Sequence, residues 1–167
     1  MKKYIYLFVI VFAISFQSCE KYEPGGTAVQ DLAGDWWVTY EYESSPGVWE
    51  DAGVGHVTLT TYNTAANKST EMWVNDNGEF WNFKSVVKVD YAVKTFMTTD
   101  SVSTNSTSSP DEKVLFTNGK ILKGAATTPS GTPADSIVFY VAFNDDSTPT
   151  VYKVAGFRKT GFSEDDF

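Results

Sequence analysis

Between Trp36 and Glu43 the side chains alternate without interruption. The even positions carry Trp36, Val38, Tyr40 and Tyr42, and the odd positions carry Trp37, Thr39, Glu41 and Glu43. Neighbours on a strand point to opposite faces, so a period of two predicts a half-buried β-strand whose even face looks into a core. Trp36 therefore goes in and Trp37 goes out.

Further β-like runs follow at short intervals, each bounded by turn residues. They cover Gly55–Asn63, Thr70–Asp76, Phe80–Asp90, Lys94–Asp100, Lys113–Ala126, Asp135–Asp145 and Thr150–Thr160. Asn118-Gly119 is a type I′ hairpin signal, so the Lys113–Ala126 run divides into two short strands on this reading. Ile137, Phe139, Val141 and Phe143 share one face of the penultimate run, with Val138, Tyr140 and Ala142 on the other. A strand apolar on both sides calls for a cover on its outer face. No segment after the leader has the pattern of a long amphipathic helix. Eight or nine short strands joined by hairpin-length turns read as an up-and-down barrel or a sandwich, and the meander spacing favours the barrel. The expected fold is all-β, an eight-stranded antiparallel up-and-down barrel. The Ser/Thr-rich segment Thr98–Glu112 reads as a loop at one mouth.

The 167 residues fit one domain, and an aromatic content of 16% is ample for a core. Residues 1–18 have the layout of a secretory leader: Lys2 and Lys3, an uncharged run from Tyr4 to Phe16 too short to cross a bilayer, then small and polar residues. The formal charge is −8, and loss of the two leader lysines makes it −10. So acidic a surface repels phosphate backbones, and nucleic acid is not an expected partner. It also repels anionic head groups, so membrane contact has to come from elsewhere. Cys19, the chain's one cysteine, directly follows the leader. Phe16-Gln17-Ser18-Cys19 resembles the lipobox of bacterial lipoproteins, with Phe16 and Ser18 in place of the usual residues. That resemblance implies cleavage before Cys19, its acylation, and anchoring by several acyl chains. The expected layout is leader 1–18, lipidated Cys19 with a polar tether to residue 30, and a barrel domain over 31–167.

Gly34-x-Trp36 resembles the Gly-x-Trp signature of the lipocalin and calycin barrels, in which the tryptophan closes one end and an arginine near the last strand packs across it. Arg158, the chain's one arginine, stands at the end of the last run. Gly34, Trp36 and Arg158 are accordingly the expected structural plug. Tyr22–Val38 and Ala155–Phe167, with the lipobox, resemble a family of Bacteroides-type lipoproteins labelled lipid-binding putative hydrolases. The resemblance implies a lipocalin-like barrel on an outer-membrane lipoprotein.

The residues offer little for catalysis. His56, the chain's one histidine, is out of phase with Val57 and Leu59 and reads as exposed at a strand start. There is no Gly-x-Ser-x-Gly elbow, and lipidation uses Cys19. The acidic pairs Glu50-Asp51, Asp145-Asp146 and Asp165-Asp166 read as solvated turns. No catalytic residue, metal site or cofactor is expected, and a hydrolase is the least favoured reading. For binding, the expected interior is Tyr40, Tyr42, Leu59, Met72, Trp81, Phe83, Phe139 and Val141, with Val74 and Phe143. That set makes either a packed core or the wall of a cavity for a small apolar or amphipathic ligand. Tyr40 and Tyr42 bring hydroxyls to an apolar face, where they require partners or the polar end of a ligand. Outward-facing Trp37, Tyr62, Trp73 and Tyr140 form either an exposed patch for a partner or a surface covered by a terminal segment. The alternative function is an envelope interaction module on a solid barrel. A monomer is expected.

Overall fold

The computed structural model describes residues 25–103 and 111–167. The expected leader, residues 1–18, and Cys19 lie outside the described residues. Ten strands follow in order: β1 (Gly34–Ser45), β2 (Val48–Asp51), β3 (Val57–Asn63), β4 (Glu71–Asn75), β5 (Lys84–Asp90), β6 (Thr95–Met97), β7 (Val102–Ser103), β8 (Lys113–Thr127), β9 (Pro133–Phe143) and β10 (Val151–Arg158). Eight of them, in the order β1-β3-β4-β5-β6-β8-β9-β10, pair antiparallel, and β10 returns to β1 to close a barrel. Closure leaves no sheet edge along the ring. Strands β2 and β7 are short additions on β1 and β8.

The alternation in the first strand is realised: Trp36, Val38 and Tyr40 are fully buried on the inner face. Tyr42, expected inside, is only partly buried at the upper end of β1, where its hydroxyl donates to Glu50 of the β2 hairpin. The middle of the barrel is filled by Phe83, Phe116, Phe139 and Phe96, whose consecutive ring centroids lie 5.5, 5.7 and 5.6 Å apart. Leu59, Met72, Val74 and Val141 pack around them.

Two local expectations need correction. Asn118-Gly119 does not turn the chain. It forms a bulge within one fifteen-residue strand, where the register passes from Thr117↔Tyr140 to Lys120↔Val138. Asn118 takes φ 53°, and a Cβ on Gly119 would stand 2.5 Å from the Phe96 ring. The dipeptide's left-handed preference is thus used to insert one residue and let Phe96 pass, which kinks the strand without reversing it. The second correction concerns Phe80–Phe83, expected in a strand. These residues form a turn, and β5 starts only at Lys84.

The outer face is covered, as a strand apolar on both sides requires. Trp49 of β2 lies against Tyr140 of β9. Trp37 is 8% exposed beneath the chain's last residues: its Nε1–H donates to Asp166 and Phe167 meets its edge at 5.7 Å. Lys159 Nζ sits 3.7 Å from the Trp37 ring centroid. That segment is held by Asp165, a buried carboxylate that accepts from the Ser130 amide and the Thr160 hydroxyl.

Candidate functional site

The antiparallel ring places the starts of β1, β4, β6 and β9 at one end, and the starts of β3, β5, β8 and β10 at the other. The first end is closed. A turn over residues 27–33 folds beneath it, with Val29 and Leu32 fully buried, so the chain packs on the barrel before the expected boundary at residue 31. Trp36 lies above this turn. Its Nε1–H donates to Thr61 Oγ1 at 2.9 Å, and that hydroxyl donates to the Leu32 carbonyl at 2.6 Å. The Arg158 guanidinium covers the indole at 4.5 Å and donates to the carbonyls of Ala33 and Asp31 and to Asp135. Burial alone would raise the Asp135 carboxyl. Hydrogen bonds from Lys123 and the Gly124 amide, with the charges of Lys123 and Arg158, outweigh it and hold the group below the usual carboxylate range. Gly34 is required here: a Cβ would stand 2.2 Å from Arg158 Nη1. Gly34, Trp36 and Arg158 thus make one stacked, hydrogen-bonded plug, with every polar atom partnered.

The other end is built from aromatic rings. Asp76, fully buried after β4, accepts from the backbone amides of Gly78, Phe80, Trp81 and Asn82. One carboxylate thereby gathers four N–H groups that a loop would otherwise leave to water, and it fixes the turn as a flap over the mouth. Phe80 stacks on Tyr40 at 4.3 Å and meets the edge of Tyr152 at 5.0 Å. Trp81 stacks on Phe143 at 4.6 Å with the rings 5° from parallel. Its indole N–H donates to both carboxylate oxygens of Asp145, at 3.0 and 3.1 Å. A cleft of about 370 Å³, lined by Gly78, Phe80, Trp81, Asn82, Glu112 and Asp145, opens outside the flap.

Beneath Phe80 the Tyr40 hydroxyl is buried without a hydrogen-bond partner. A buried hydroxyl without a partner is disfavoured by roughly 1–3 kcal/mol relative to a bonded one. Burial, and after it the charges of Asp76 and Glu79, push its pKa well above the ordinary tyrosine value. The group is therefore a neutral hydroxyl able to donate or accept. Burial, with Asp146, also raises Tyr152, whose hydroxyl donates to Asp146 at 3.2 Å.

The expected interior residues thus fall into three groups. Leu59, Met72, Phe83, Phe139 and Val141 are core. Tyr40 stands at the boundary between core and mouth. Tyr42 and Trp81 are partly exposed at the rim instead of lining the axis. The sequence pattern did not indicate Phe80, Tyr152, Asp145 and Asp76. Phe80-Trp81 after Asn77-Gly78 reads as the start of a strand, because nothing local announces that Asp76 will draw the following amides into a turn.

A larger cleft, about 610 Å³, opens on the barrel wall beside Val86–Val89 and Thr98–Val102, where β5 pairs with β6 over three residues only. Among the described residues it contains no counterpart to the unpartnered Tyr40 hydroxyl, which makes the mouth the stronger candidate. His56 is exposed and stacks flat on Phe167 at 3.7 Å. Among the described residues, no group of three or more His, Cys, Asp and Glu side chains converges as metal ligands do.

No curated protein matches the chain. A family model does, over residues 21–163, which takes in every strand of the closed barrel, and the protein belongs to the family described as lipid-binding putative hydrolases.

Proposed function

We propose that the protein is a lipid-anchored carrier or sensor on the outer membrane that binds a lipid or other small amphipathic molecule at the barrel mouth. Family membership and the barrel fit a lipid-binding role. The observation that carries the site is the Tyr40 hydroxyl, buried without a partner under an aromatic flap. Apolar walls with one convergent polar group are what a site for an amphiphile needs. The chain of the ligand lies against Phe80, Trp81, Phe143 and Tyr152, and its polar end meets Tyr40 as the Phe80 ring shifts aside. Binding is measured by tryptophan fluorescence and calorimetry with a neutral single-chain amphiphile below its micelle concentration. Wild type binds and Tyr40→Phe loses at least about tenfold, the scale of one hydrogen bond to a buried group. Equal affinity in the two proteins would remove Tyr40 from the site.

Anchoring is proposed from Cys19 and the leader before it. Labelled palmitate should enter the wild-type protein and not Cys19→Ser, and density fractionation should find the wild type with the outer membrane. Label in the variant would end the proposal.

A second reading, an interaction module on a solid barrel, is favoured by the filled middle, where Phe83, Phe96, Phe116 and Phe139 are at most 2% exposed. It predicts that no amphiphile binds and that an envelope protein or glycan is captured by the rim.

A further inference from the structure

We infer that the mouth accepts amphiphiles whose head group is an organic cation, such as an ammonium, and disfavours those with an anionic head. This rests on the proposed use of the mouth and specifies the ligand class.

The charge around the flap is one-sided. Glu79 stands on the flap itself, Glu112 and Asp145 line the cleft outside it, and Asp146 bonds Tyr152 at its edge. Asp76 lies beneath, with its oxygens occupied by backbone amides. Two lysines begin strands at this end. Lys84 directs its ammonium over Tyr62 and Trp73 on the outer face, and Lys113 is exposed at the start of β8. Neither lines the cleft. A carboxylate or phosphate head passing through the cleft toward Tyr40 would face Glu112 and Asp145 with no cation among the described lining residues.

An ammonium meets the opposite situation. The Trp81 indole and the Phe80 ring line the cleft beside two carboxylates, each with one face covered by a neighbouring ring, and aromatic rings next to carboxylates are the combination that binds organic cations. Among the described residues Asp145 accepts only the indole N–H, so its oxygens retain lone pairs for a further donor. Tyr40 adds an independent pointer to a ligand. Its oxygen is unpartnered, and its phenol lies near enough to Asp76 and Glu79 to feel both charges. A hydroxyl in that field accepts readily from a cationic N–H or a neutral O–H, whereas an added anion is repelled by the same carboxylates.

The test uses three probes of one chain length below their micelle concentrations: decylammonium, decanol and decanoate. Affinities are measured on the soluble domain with its anchor replaced, and on the full lipidated chain in nonionic detergent. The cation should bind at least about tenfold more tightly than the carboxylate, with the alcohol between them. The ratio should shrink as ionic strength rises from about 0.05 to 0.5 M, because the rim charges are solvent-exposed. Asp145→Asn and Glu112→Gln should each reduce the ratio. Asp90→Asn, which removes one charge at the closed end, should leave it unchanged. If decanoate binds as tightly as the cation, the head-group inference fails while the mouth remains a binding site. Equal effects of Asp90→Asn and Asp145→Asn would assign the preference to net charge and also overturn it. If none of the three probes binds, the mouth itself is not the site.

Discussion

The two ends of the barrel carry similar chemical material and treat it in opposite ways. Each has a tryptophan, a tyrosine or threonine hydroxyl and a carboxylate or guanidinium that gathers several hydrogen bonds. At the closed end the Trp36 N–H, the Thr61 hydroxyl and the Arg158 fork are all bonded within the protein. At the mouth a buried carboxylate is spent on shaping a flap, and the Tyr40 hydroxyl beneath it is left without a partner. Complete internal satisfaction is what architecture requires; an unmatched buried group is what a ligand can complete. On the proposed function, one end stabilises the fold and the other is reserved for a ligand.

The largest effect should come from the plug. Trp36→Ala removes a fully buried indole and its hydrogen bond, with an expected loss of about 3–5 kcal/mol in chemical denaturation. Phe80→Ala, at the mouth, should be milder in stability, about 1–2 kcal/mol for a half-buried ring, yet should abolish amphiphile binding. A larger stability loss at Phe80 than at Trp36 would break the contrast.

Gly34→Ala comes next. The new methyl displaces the Arg158 tip and strips its bonds to the Ala33 and Asp31 carbonyls, at about 1–3 kcal/mol. Ligand affinity should not change, because the arginine lies at the far end.

The sharpest comparison removes one buried hydroxyl from each end. Thr61→Val should destabilise by about 1–2 kcal/mol, since the Trp36 N–H and the Leu32 carbonyl both lose a partner. Tyr40→Phe should be neutral or stabilising by up to about 1 kcal/mol, because its hydroxyl has no partner to lose. Thermal and denaturant melts of the two variants decide this directly.

The smallest effect concerns the segment over Trp37. Burial alone would raise the Asp165 carboxyl, but hydrogen bonds from Thr160, the Ser130 amide, Thr128 and the Ser130 hydroxyl outweigh it and hold the pKa at about 2 against an ordinary 3.8. A depressed folded value means that this contribution is complete above 3.8 and is lost as pH falls toward about 2. The protection factor of the Ser130 amide, its exchange relative to the intrinsic rate at each pH, should therefore be constant at pH 5–8 and fall below about 4. In Asp165→Asn the step in that window should disappear.

How much of this was legible in the sequence follows from which interactions are local. The parity of Trp36–Glu43 put Trp36 inside and Trp37 outside, because strand alternation depends on position alone. The spacing of turns yielded the eight-stranded barrel, and the resemblance of Gly34-x-Trp36 with the lone Arg158 to the lipocalin signature implied the plug. The misassigned segments depended on side-chain contacts that no periodicity announces. Asn118-Gly119 carries the signature of a hairpin, and only Phe96, more than twenty residues earlier, makes it a bulge. Phe80–Phe83 has strand composition, and only the burial of Asp76 bends it into a flap. Tyr42 follows the inward parity, yet the barrel ends below it and the β2 hairpin takes its hydroxyl. The mouth was therefore the least readable region, since its geometry comes from one carboxylate collecting amides rather than from any periodicity.

The most direct test is an NMR titration of the labelled domain with decanol, following methyl, aromatic and indole N–H resonances. Saturable shifts are expected at Tyr40, Phe80, Trp81 and Phe143 and at the Trp81 indole N–H, with Trp36, Thr61 and Arg158 unmoved. Shifts concentrated on the plug or along the Val86–Val89 wall, or no saturable shift anywhere, would contradict a binding site at the mouth.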